Sequence, residues 1–178
     1  MISITEPGAH SAAPDFNDPL GLIKACHERI IFHCDLLEKT IAYLDDNEVD
    51  KNSIDAARRV TRYFNTAGKL HHQDEEKDIF PQLIRVSTKL ANIINILEQG
   101  HQSIDKLWNN ISPLLDKLET ITPAQLPELK QLCIEFCQLN LEHMKFEEEE
   151  LLSVAANLIS NDQLKLIGAS MKERRHIK

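Results

Sequence analysis

The chain has 178 residues, a formal net charge of -8, 42% apolar residues and 27% charged residues. Its length suits one domain with one core. The acidic balance argues against a nucleic-acid partner, because phosphate binding needs a basic surface, and the basic run Lys172 to Lys178 is too short to reverse it. No apolar run approaches the length of a membrane span, and no basic start followed by an apolar run marks a secretory leader. The cysteines Cys26, Cys34, Cys133 and Cys137 form no Cys-x-x-Cys zinc spacing. A reduced cytoplasmic protein is the simplest expectation. Aromatics are few at 5%, glycines number 5, and helix formers dominate, so an all-helical fold is predicted.

Residues 1–18, rich in Gly, Ser, Asn, Asp and Pro, read as an irregular lead-in, followed by one domain over 19–178. The first predicted helix runs from Pro19 to Asp45, with apolar residues Ile23, Ile30, Cys34, Leu37, Ile41 and Leu44. This alternating three-four spacing is the seam of a helix bundle. The gap in the series is filled by His27. The second helix runs from Ser53, a predicted N-cap, to Phe80. Its seam reads Ala57, Val60, Phe64, Ala67 and His71, with Glu75 one turn later. His72 is turned about 100° away, and Pro81 should end or kink the helix.

The third helix, Thr88 to Leu118, has the cleanest seam: Leu90, Ile94, Leu97, His101, Ile104, Trp108, Ile111, Leu115 and Leu118. Gly100 inside it costs up to about 1 kcal/mol relative to Ala and permits close backbone packing. After a turn with two prolines, the fourth helix runs from Leu126 to Ser160 and places His143 and Glu147 on its seam. Ser160-Asn161-Asp162 then reads as a stop and a new cap before a short fifth helix, Gln163 to Arg175. Short connections make neighbours antiparallel, which predicts an up-down-up-down four-helix bundle with a closing fifth helix.

Each long helix thus gives one seam position to histidine, and two of them add a carboxylate one turn on. Residues four apart share a helix face, so His71 and Glu75, and likewise His143 and Glu147, point at one object. Burying such groups without partners is costly. Either they satisfy one another or a cation does. Imidazoles and carboxylates projecting inward from four helices match a di-iron or di-manganese site. Six ligands exceed what a tetrahedral zinc needs.

The sequence resembles the hemerythrin-like family, the HHE cation-binding domain. The pieces that carry the resemblance are Ala25-Cys26-His27-Glu28-Arg29-Ile30, His71-x-x-x-Glu75-Glu76-x-x-Ile79-Phe80-Pro81, Glu98-Gln99-Gly100-His101 and His143-x-x-x-Glu147-Glu148. It spans about residues 19 to 175, with Leu164 to Arg175 resembling the family's closing helix. The resemblance implies two non-heme irons, with His27, His71, His101 and His143 as terminal ligands and Glu75 and Glu147 bridging. It also implies an oxo or hydroxo bridge, with zinc or manganese ranked behind iron.

Two departures bear on function. Oxygen-carrying hemerythrins have a second histidine on the third helix, one turn from the first; here those positions are Leu97 and Asp105. Their fourth-helix carboxylate lies five residues after its histidine, where this chain has Glu148; Glu147 fits the HHE spacing. Asp105 is a candidate extra oxygen ligand. Simple oxygen carriage is therefore disfavoured. The expectation is binding or sensing of O2, NO, a peroxide or a related small oxidant. The alternatives are a di-iron enzyme with peroxidase, oxidase or NO-consuming activity, and an iron-dependent regulatory or metal-handling protein.

Rival motifs are incomplete. The Glu-x-x-His of ferritin-like di-iron proteins occurs once, at Glu98 to His101, and His27-Glu28 does not extend to His-Glu-x-x-His. Glu76, Glu148 and Glu149 read as solvated faces outside the ligand set. His10, His33, His72 and His176 read as mostly surface residues. Cys133 and Cys137, one turn apart, read as buried small hydrophobes in preference to a redox pair.

Overall fold

The computed structural model describes residues 15–177 and is helical throughout, with no strand among the described residues. Most of the irregular lead-in lies outside that range. Helix α1 is Pro19–Asp46, capped by Asp18, whose carboxylate accepts from the Gly21 N–H. A second helical run covers 51–83. It comprises α2 (Lys51–Tyr63), a π-helical turn (Phe64–Gly68), α3 (Lys69–Asp74), a second π turn (Glu75–Ile79) and α4 (Phe80–Leu83). Helix α5 is Thr88–Asp116, followed by the 3-10 turn Leu118–Thr120. The next run covers 126–158 as α6 (Leu126–Glu147), a third π turn (Glu148–Leu152) and α7 (Ser153–Leu158). Helix α8, Asn161–Arg174, ends the described chain.

Local chemistry moves two boundaries from where spacing placed them. Helix α2 starts at Lys51 because Asp50, not Ser53, is the cap. The Asp50 carboxylate accepts from the Ser53 N–H at 2.9 Å and the Asp50 N–H donates to Ser53 Oγ at 3.0 Å, a reciprocal capping box. Pro81 does not end its helix. The π turn just before it has already shifted the hydrogen-bond ladder, with the Phe80 N–H reaching Glu75 O, so the missing proline N–H is accommodated and the run continues to Leu83. Ser160 caps α8 as expected, in a second capping box with Gln163.

Seam residues form two apolar clusters. One gathers Ile30, Leu37, Val60, Phe64, Trp108, Ile111, Leu129 and Phe136. The other gathers Ile23, Ile79, Leu83, Ile94, Leu97, Leu151 and Met171. Each of the four long runs passes from one cluster to the other. The residues in between are polar: His27 in α1, His71 and Glu75 in the 51–83 run, His101 in α5, and Asn140, His143 and Glu147 in α6. No helix is long and apolar enough to cross a membrane.

Candidate metal centre

The six residues singled out by spacing converge in this middle layer. All are buried: Glu75 and Glu147 at 0% exposure, His71 at 1%, and His143, the most open, at 8%. One oxygen or nitrogen each from His27, His71, Glu75 and Glu147 lies within 4.8 Å of the others, and so do atoms of Glu75, His101 and His143. Glu75 belongs to both groups. Its Oε1 lies 3.0 Å from His71 Nε2 and its Oε2 lies 3.0 Å from His101 Nε2. His27 Nε2 lies 3.2 Å from Glu147 Oε2.

These separations are close without the alignment of hydrogen bonds. Of the ten buried side-chain nitrogens and oxygens lacking a hydrogen-bond partner among the described residues, all but Thr61 Oγ1 belong to these six residues. They include both oxygens of Glu75 and of Glu147 and the Nε2 of all four histidines. Native interiors leave few such groups unsatisfied, because each costs about 1–3 kcal/mol, more if charged. A shared cation removes the deficit. Two donor atoms each about 2.1 Å from one ion, at right angles, sit about 3 Å apart, which matches the observed separations. Imidazole and carboxylate donors without thiolate suit iron, manganese or zinc. The residues present fit a metal centre.

The surrounding partners aim these nitrogens. His27 Nδ1 donates to Glu148 Oε1 at 2.7 Å, and His101 Nδ1 donates to Glu76 Oε1 at 2.7 Å. A carboxylate accepts only, so each bond places a proton on Nδ1 and turns Nε2 inward, where its lone pair is free to bind once the ring is neutral. Glu76 and Glu148 are therefore not bystanders on a solvated face. They are half-exposed, yet each spends one oxygen on a histidine from another helix. Glu149 is exposed, in line with the sequence reading. His72, expected at the surface, is also turned in. Its ring stacks on His101 at 3.9 Å and is only 13% exposed. Asp105 stays outside both groups, with 59% exposure and 3.7 Å between its Oδ1 and His72 Nδ1. His33 stacks on Tyr63 at 3.8 Å, His176 is exposed, and His10 lies outside the described residues.

Gly100 has a concrete role. A Cβ there would sit 2.6 Å from His143 Nδ1, so only glycine lets α5 pass this close to the His143 ring. The four cysteines are free thiols. Cys133 and Cys137 are fully buried in the first apolar cluster, where burial pushes the Cys133 thiol up.

The metal-free electrostatics are unbalanced. Burial pulls His27 down, but Glu147 and Glu148 more than offset it and push its pKa up to about 9. Burial lowers His143 to about 3, with His101 adding to the effect. Burial and the neighbouring His27 hold His71 well below the usual imidazole range. Burial and the facing Glu147 hold the Glu75 carboxyl well above the usual carboxylate range.

A helical domain that gathers imidazoles and carboxylates from four runs into a buried interior is a cation-binding domain by the chemistry of its donors. A model of the hemerythrin HHE cation binding domain matches residues 18–155. The chain is also 31% identical over 163 residues to an uncharacterized protein of Haemophilus influenzae, covering 92% of this chain and 93% of the relative. The chain belongs to the hemerythrin HHE cation-binding domain family.

The doubled glutamate at Glu75-Glu76 and again at Glu147-Glu148 was the sequence signal for the two supporting carboxylates. Nothing in the sequence signalled the inward turn of His72.

Proposed function

We propose that this protein is a non-heme di-iron protein that binds or senses O2, NO or a related small oxidant. His27, His71, Glu75 and Glu147 would hold one ion. Glu75, His101 and His143 would hold the other, with Glu75 shared; a bridging role for Glu147 is what the family resemblance implies. The observation that carries the reading is the set of buried, partnerless Nε2 and carboxylate atoms that face one another across two groups joined by Glu75. When bound, such a pair of ions supplies a redox-active Lewis acid able to take up a small oxidant.

The chain's own residues do the rest. Glu76 and Glu148 hold the protons of His101 and His27 at Nδ1. The two apolar clusters exclude bulk water from both ends. A cavity of about 10 Å3, room for a molecule of about the size of one water, lies against His72, Asn140, Ile30 and Phe136. We read the domain as one unit over 19–178. The packing of α1 on α2 and α6, and of α5 on α2 and α6, supports an up-down-up-down bundle with α8 as the closing helix. A cytoplasmic setting fits the free cysteines.

The test is addition of NO, azide or peroxide to the iron-loaded protein while its optical spectrum is followed. The reading predicts a stable, reversible spectral change without consumption of the added molecule. Rapid consumption of peroxide or NO would assign the enzymatic alternative instead.

A further inference from the structure

The π turn that begins at Glu75 is gripped from outside. Asp74, one residue before it, is buried at 1% exposure, and its carboxylate is held by two arginines of the α8 end. Arg174 Nη1 donates to Asp74 Oδ1. Arg175 donates to both oxygens, from Nη1 at 3.1 Å and from Nη2 at 2.5 Å. One turn on, Arg174 Nη2 donates to Asp78 Oδ2 at 2.8 Å, and Ser170 Oγ donates to Asp78 Oδ1 at 2.8 Å. The same helix is seated from its other side. A Cβ on Gly168 would lie 1.8 Å from the Phe16 carbonyl oxygen, so the backbones touch there.

Neither arginine reaches the six candidate ligands, and both lie beyond residues 18–155, where the family match ends. A π turn replaces i→i−4 bonds with i→i−5 ones and is rare beyond a single turn, so contacts from outside help to fix it. The turn carrying the shared carboxylate is thus bonded to α8 through Asp74 and Asp78, besides seating Ile79 in the second apolar cluster. Without the guanidinium groups, Asp74 would be a buried charge with no partner. The turn would have to rotate to bring Asp74 to water, and Glu75, about 100° round the same helix, would move with it.

We propose that α8 is a latch on the metal centre, with Arg174 and Arg175 as positioning residues that hold Glu75 between the two ligand groups through Asp74 and Asp78. This rests on the reading of Glu75 as a shared metal ligand. Coupling of this kind is reciprocal. If the latch tightens metal binding, bound metal must tighten the latch by the same factor, so α8 reports metal occupancy.

The test uses the full chain loaded with iron. Iron release to an excess of chelator is timed for wild type, for Arg174→Gln/Arg175→Gln and for Gly168→Ala, which unseats α8 without touching any charge. The latch predicts release faster by roughly ten- to a hundredfold in both variants, the range seen when outer partners of metal ligands are lost, and partial recovery in Arg174→Lys/Arg175→Lys. Independently of any mutation, amide exchange over residues 161–174 of the wild type should slow when iron is bound. Release within twofold of wild type in both variants, or α8 exchange indifferent to iron, overturns the latch while leaving the metal reading intact. A wild type that takes up no iron overturns both.

Discussion

The two His-x-x-x-Glu-Glu segments are the same device used twice, and they are held differently. In each, the first glutamate faces the centre and the second bonds a histidine on a separate helix: Glu76 to His101, and Glu148 to His27. In each, a π turn follows the last α-helical ligand, starting at Glu75 in one and at Glu148 in the other. The difference lies outside. The Glu75 turn is clamped by the α8 arginines through buried Asp74. The Glu148 turn carries an exposed pair, Lys89 to Glu150 at 3.3 Å, of the kind worth little in water. The half that supplies the shared carboxylate is thus the more firmly held, and the other half has more freedom to adjust.

Four perturbations should act differently on the two halves, the largest effect first. Glu75→Ala removes the one carboxylate common to both groups and should empty both positions, whereas His143→Ala should spare the His27 group and leave half the iron. Metal analysis of the purified variants checks this; equal losses would erase the distinction between the halves. Gly100→Ala comes next. Its Cβ would sit 2.6 Å from His143 Nδ1, so the buried ring or α5 must shift, which offsets the helix-propensity gain of up to about 1 kcal/mol and weakens metal binding. Thermal melts should therefore show a larger loss of stability with iron than without it.

Glu76→Gln and Glu148→Gln should each lower metal affinity by roughly tenfold, as loss of an outer carboxylate partner does. Competition with a coloured chelator measures both, and an unchanged affinity would return these residues to the solvated face. The smallest effect is on protons. In the metal-free protein His27 titrates at about 9, so it is protonated near neutral pH and must lose that proton before Nε2 can bind a cation. Glu75, shifted upward as well, adds to the release. Metal uptake should therefore release protons near neutral pH, and affinity should rise with pH until about 9, where His27 is already neutral. Calorimetry in buffers of different ionisation enthalpy gives the number of protons. The linked stability runs with the opposite sign: the His27 contribution to the metal-free fold is present below its unfolded value of about 6.5 and is lost as pH rises through about 9.

Much of this site was legible from period alone. A histidine interrupting an otherwise apolar seam identified His27, His71, His101 and His143, because a buried imidazole in that position needs a partner. The four-residue offset then selected Glu75 and Glu147. Three features were beyond that reasoning. His72 shares α3 with His71 and is turned about 100° from it, but the ring it meets there is His101 of α5, a contact that no count along one helix reports. The bonds from Glu76 and Glu148 cross between helices, and no spacing rule along one helix reports them. The arginines of α8 lie 100 and 101 residues from Asp74, and in the sequence they look like a basic tail.

The proposed centre, two irons held by these six residues, is tested most directly by the metal content of the protein. Protein purified from iron-replete cells should carry two irons per chain and show the near-ultraviolet absorption of an oxo-bridged pair. Less than one transition metal per chain, with no such absorption, would contradict it.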